Sequence, residues 1–197
     1  MADFIRAYQK RRPLITCDFW FFAIIAVAVY FGGDALWLLL AALVHEAGHW
    51  LALVATHNGV LQLRLRGCCA QIIPHYRRLP GLRQELMILT AGPLAGIVLA
   101  LLLKPFFPRF AAISLLLSIF NLLPVRGLDG GSMLRLIYAA LFDTEKKLVP
   151  DIIGGMVGAG TLAAGVWSLT QRRPNVPLLC LAVFLLLKQF VLVGDAD

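Results

Sequence analysis

Residues 35–55 read ALWLLLAALVHEAGHWLALVA, an apolar run that holds two histidines and a glutamate within five positions. A helix rises about 1.5 Å per residue, so a run of this length reaches about 30 Å, the thickness of a bilayer's hydrocarbon core. Residues four apart on a helix share a face. His45 and His49 of His45-Glu46-Ala47-Gly48-His49 therefore direct both imidazoles at one point, the H-E-x-x-H arrangement that holds zinc. Glu46 lies beside that point and not on it, where a carboxylate takes a proton from an attacking water and passes it to a leaving amine. Two histidines kept merely as buried, hydrogen-bonded side chains would be costly in an apolar span. Intramembrane ionisable groups mark functional sites by default.

The surrounding sequence has the same character. Of 197 residues 60% are hydrophobic and 15% charged, and the mean hydropathy is +0.81, well outside the range of a soluble domain. The expected fold is an all-α integral membrane protein of about six transmembrane helices, at 19–31, 35–55, 82–103, 110–124, 149–169 and 178–193, forming one membrane-embedded domain. The first run follows a basic start (Arg6, Lys10, Arg11, Arg12) and resembles a signal peptide. Its A-x-A, Ala26 and Ala28, lies inside the apolar run, so an uncleaved span is expected.

The net charge of +7 does not point to nucleic acid, because Lys and Arg collect in cytoplasmic loops. With six spans and a cytoplasmic N-terminus, only Lys104, Arg109, Arg172 and Arg173 of the 18 Lys and Arg residues fall outside. Both termini are expected in the cytoplasm. Cys17, Cys68, Cys69 and Cys180 show no C-x-x-C spacing and are read as structural thiols.

Between the second and third runs the period changes. Val60, Leu61, Leu63 and Leu65 alternate with Gln62, Arg64 and Arg66, the two-residue repeat of a half-buried strand. A lone strand leaves amides unsatisfied in lipid, so a short β-hairpin with 70–73 is expected at the cytoplasmic rim. It would serve either as an interfacial loop or as an edge that receives an extended substrate. Gly92 with Gly96, and Gly154 with Gly158, are small-xxx-small pairs expected to let helices approach closely.

A catalytic zinc keeps three protein ligands and an open position. The remaining candidates for the third are His57, His75, Glu85, Asp34 and Asp129. Asp129 lies in Asn121-Leu122-Leu123-Pro124-Val125-Arg126-Gly127-Leu128-Asp129-Gly130-Gly131, where Pro124 breaks the helix and the glycines permit irregular backbone. Asn121 is placed either to offer its amide to an oxyanion or to make an interhelical hydrogen bond.

HEAGH in one membrane helix, AGPLAG (91–96) in the next and NLLPVRGLDGG (121–131) after that resemble the site-2 protease family of intramembrane zinc metalloproteases, over residues 15–140. The resemblance implies His45, His49 and Asp129 as zinc ligands and Glu46 as catalytic acid and base. It also implies Asn121 as a substrate or oxyanion contact and a substrate-holding role for the strand-like segment. The compact form is similar to the stage IV sporulation protease branch of bacterial membranes, which cleaves a membrane-tethered transcription-factor precursor. Some members of that branch carry a C-terminal CBS domain. This sequence ends at Asp197 without one, which leaves nucleotide regulation and substrate identity open. The expected partners are a membrane-tethered protein substrate and the bilayer, with a homo-oligomer or regulatory membrane partner left open. The rival readings are a metal transporter, which would place further His, Asp or Glu along other spans, an inactive scaffold, which would not need Glu46, and a prenyl-protein protease, whose third ligand is a later glutamate.

Overall fold

A computed structural model of the chain describes residues 15–17, 34–56, 59–66, 69–75, 80–142, 148–171 and 176–190. The elements among them are β1 (Ile15–Cys17), α1 (Asp34–Ala55), β2 (Gly59–Arg66), β3 (Cys69–His75), α2 (Leu82–Leu103), α3 (Pro108–Asn121), α4 (Asp129–Phe142), α5 (Leu148–Ser168) and α6 (Val176–Phe190). They form two units, Met1–Ser118 and Ile119–Asp197.

In the first unit α1 packs along α2. The stripe of α1 that turns inward is Ala41, His45, Gly48 and Ala52, spaced four, three and four residues apart, so it forms one face of the helix. Opposite faces carry Leu43 and Leu51, which are 63% and 59% exposed, while His45 is 6% exposed. That polarity is reversed from a water-soluble helix and suits lipid outside and a polar site inside. The pair approaches closely because its contact residues are small. A methyl on Gly48 would stand 2.5 Å from the Ala91 carbonyl oxygen and 2.8 Å from the Ala95 Cβ. Ala52, Leu53 and Ile88 close the apolar seam, with Ala91 against them.

α3 joins this pair through the Ser114 hydroxyl, which donates to the Gly96 carbonyl at 3.0 Å. A methyl on Gly96 would collide with the Ser118 hydroxyl. Trp37 of α1 meets Phe107 and Phe110, each ring at 5.8 Å.

The alternating segment forms β2, which pairs antiparallel with β3 in the register Leu63 with Ile72 and Arg64 with Gln71. The register shifts between Val60 and Gln62. Leu61 is the extra residue of a bulge there, which lets Val60 and Leu61 stand consecutively in an otherwise alternating strand. Sequence reading missed β1, which adds parallel to the other edge of β2, Ile15 beside Leu63. Three residues are too few to show a period. The sheet order is β1-β2-β3, and β2 and β3 both contact α1.

Among the described residues three helices, α1, α2 and α5, are long and apolar enough to cross a membrane, which suits an integral membrane protein. They match the expected spans at 35–55, 82–103 and 149–169. The spans expected at 110–124 and 178–193 correspond to α3 and α6, which are shorter apolar helices. The one expected at 19–31 lies outside the described residues.

In the second unit α5 and α6 pack antiparallel along a row of glycines. Methyls on Gly154, Gly158 and Gly165 would meet Gln189 Oε1 at 2.6 Å, Leu186 Cδ2 at 2.7 Å and Leu179 Cα at 3.0 Å. Helix α4 is a finding that sequence reading did not make. The sequence reading places no span between 124 and 149, whereas Asp129 opens a helix of 14 residues. The segment before it is irregular for identifiable reasons. α3 ends in two tight turns, with Leu122 donating to the Ile119 carbonyl and Leu123 to that of Phe120. Pro124 then stops the helix. Gly127 adopts φ 76°, a conformation that costs a side-chain-bearing residue about 1–2 kcal/mol. The chain then folds back, so that methyls on Gly130 and Gly131 would overlap the carbonyls of Leu122 and Val125. Gly131→Ala should therefore lower unfolding stability in detergent by about 1–3 kcal/mol or more. An unchanged melting temperature would contradict that packing.

Candidate functional site

His45 and His49 come together on the buried face of α1. Their Nε2 atoms are 3.2 Å apart, and the rings stand edge to face at 82° with centroids 4.8 Å apart. Two nitrogens bound tetrahedrally to one zinc at about 2.0–2.1 Å lie about 3.3 Å from each other, so the observed spacing, also that of an N–H···N hydrogen bond, is one that a shared metal would fit.

The His49 ring is oriented from α2. Its Nδ1 lies 2.7 Å from the Ile88 carbonyl oxygen. A carbonyl only accepts, so Nδ1 carries the proton and donates, which leaves Nε2 with its lone pair turned toward His45. Metal-ligating histidines are commonly fixed in this way. The ring has room there because Gly92 lacks a side chain. A Cβ at that position would overlap Nε2 and stand 2.6 Å from Cε1 and 2.7 Å from Cδ2. The AGPLAG motif thus does more than pack helices: Ala91 and Ala95 admit α1 at Gly48, and Gly92 seats the imidazole. The motif was visible in the sequence, but its link to His49 was not, since 43 positions separate Gly92 from His49.

Glu46 follows His45 on α1 and is half-buried. Asp34 is exposed at the start of the same helix, about 16 Å along the axis from His45, which removes it as a third ligand to that pair. Glu85 is half-buried in the first turn of α2. His57 lies outside the described residues, and His75 ends β3.

In the second unit Asp129 is half-buried and is the first residue of α4. The position is fixed locally by Leu128, whose N–H donates to the Val125 carbonyl at 3.1 Å, and by the Ser132 N–H, which donates to the Leu128 carbonyl at 3.0 Å. Asn121 is half-buried at the end of α3, one turn before Pro124. Sequence reading missed the Ile88 carbonyl, because any residue supplies one, and it missed Gln189, described below.

Residues 102–163 match the model of Peptidase family M50. That stretch includes Asn121 and Asp129 and excludes His45, Glu46 and His49. Among solved structures the chain is similar to the site-2 protease from Methanocaldococcus jannaschii, with a TM-score of 0.63, 20% identity, and coverage of 89% of this chain and 88% of that one. No curated protein sequence matches the chain. The resemblance to the site-2 protease family drawn from the three motifs is borne out by the family segment and by the fold.

Proposed function

We propose that this chain is an intramembrane zinc metalloprotease of the site-2 type, which hydrolyses a peptide bond within or beside a transmembrane segment of a membrane-tethered protein. The observation that carries the reading is the His45 and His49 pair. Its Nε2 atoms are spaced for one tetrahedral metal, and one ring is already set in the metal-binding tautomer by Ile88. The M50 segment and the site-2 protease fold support it independently.

In this reading His45, His49 and Asp129 hold the zinc, and the donor set of two imidazoles and a carboxylate suits a catalytic site with one position open. When bound, zinc supplies Lewis acidity and a water acidified toward neutrality. Glu46 would take a proton from the attacking water and deliver it to the leaving amine. The amide of Asn121 donates to the oxygen of the carbonyl under attack, where charge develops. Asp129→Ala should lower the zinc content of the purified protein well below one equivalent, as read by metal analysis. Full occupancy in that variant would remove Asp129 from the ligand set.

The substrate segment must unwind before its amides are open to attack. A sheet edge that takes it up by strand addition stabilises the extended form. The sheet order refines which strand is suited. Among the described residues β2 is flanked by β3 on one side and, over Leu63–Leu65, by β1 on the other, and the edge proposed to receive substrate is that of β3, up to Pro74, which cannot donate. A transcription or sigma factor tethered to a bacterial membrane fits such a substrate, with release to the cytoplasm, where both termini of this chain are proposed to lie. Co-expression of wild type and Glu46→Gln with tagged single-span proteins tests the activity: fragments that form with the first and not the second identify cleavage.

A further inference from the structure

Gln189 of α6 is 3% exposed, a side chain that both donates and accepts hydrogen bonds, buried in an otherwise apolar helix. Both halves of its amide are engaged. Oε1 accepts the Arg126 backbone N–H at 2.7 Å. Nε2 donates to the Asp151 carbonyl at 3.1 Å and lies 3.5 Å from Asp151 Oδ1. The same Oδ1 is paired with the Arg135 guanidinium of α4. One amide therefore ties together α6, the start of α5 and the irregular turn before α4, while the ion pair ties α4 to α5.

The approach is built into the neighbouring residues. A methyl on Gly154 would stand 2.6 Å from Gln189 Oε1 and 2.8 Å from the Pro124 carbonyl oxygen, so that glycine admits both the amide and the turn. One turn earlier on α6, the fully buried Leu185 packs with Val125 and Leu128. The turn is thus held at two successive residues, Val125 by an apolar contact and Arg126 by a hydrogen bond. From Arg126 to Asp129 little freedom is left, since Leu128 is bonded to Val125 and Gly131 lies against the Val125 carbonyl.

We infer that Gln189 is a positioning residue for the metal ligand Asp129: it fixes the Arg126 backbone and thereby the start of α4, so that the last two helices serve as a buttress for the ligand-bearing turn. The inference rests on the reading of Asp129 as a zinc ligand. A polar side chain at this depth suits such a role, because a backbone N–H in the low-dielectric interior that loses its acceptor drives the segment to rearrange. A plain interhelical hydrogen bond between α5 and α6 would need only the Asp151 half of the amide. The Arg126 half acts on the turn.

The test is zinc affinity of the purified full chain in detergent, by competition with a chromogenic chelator, beside melting of the metal-free protein. Gln189→Met should weaken zinc about tenfold, the lower end for loss of an outer contact to a metal site. In an Asp129→Ala background the same change should have no further effect. Gln189→Glu keeps the acceptor for the Arg126 N–H and should hold zinc better than Gln189→Met. Leu186→Ala, which trims the side chain that packs at Gly158, should lower the melting temperature and leave zinc affinity unchanged. Gln189→Met with wild-type zinc affinity, a full tenfold effect without Asp129, or Gln189→Glu weaker than Gln189→Met would each overturn the inference. Zinc binding that is indifferent to His45→Ala would instead overturn the metal-site reading, and this inference with it.

Discussion

Glu46→Gln is expected to retain zinc and to lose cleavage by about 10²–10⁴-fold, the range over which a positioned general acid and base contributes. The amide has the shape of the carboxylate but has no basic oxygen for the water's proton and no proton to return to the amine. Glu46 is neither His45 nor His49, so the pair with Nε2 atoms 3.2 Å apart is left in place. Two measurements on one preparation separate the roles: metal analysis, and fragment formation from a single-span substrate. Loss of zinc together with activity would make Glu46 a support of the ligands. Full activity would end the assignment of the site.

Gly92→Ala is the second large effect expected, and it comes from a residue with no polar atom beyond its backbone. The new methyl would enter the His49 ring at Nε2, Cε1 and Cδ2. The ring cannot yield without giving up the 2.7 Å bond from Nδ1 to Ile88 and the approach to His45. Zinc affinity should fall by about 10–100-fold, as when outer contacts of a ligand are lost, and cleavage should fall with it. Gly160→Ala is the matched control, because nothing lies within 4 Å of a methyl there. Zinc binding of Gly92→Ala equal to that of the control would reduce Gly92 to a helix-packing residue.

Several of these features were legible in the residues alone, and for a common reason. The paired histidines, the glutamate and the long apolar runs are local patterns: four-residue spacing on a helix and 22-residue hydrophobic stretches, which α1 and α2 realise at 34–55 and 82–103. The strand-like alternation at 59–66 is also local, and it appears in β2 with the bulge at Leu61. Pro124 and the glycines after it announced a break in the helix, and Gly127 with its positive φ shows why one of them is glycine.

What the sequence by itself determined, then, is a membrane-type chain with an H-E-x-x-H helix and an irregular turn bearing Asp129, because each follows from spacing within a few residues. The tertiary structure decided which face of α1 turns inward, which carbonyl sets the tautomer of His49, and which glycine leaves room for its ring. It also decided that β2 is flanked on both sides, that Asp129 begins a helix, and that a glutamine 63 positions from Arg126 holds its backbone. Those are contacts between distant parts of the chain. No local period encodes them, since a carbonyl, a glycine or an amide gains its role only from the neighbour that folding brings to it.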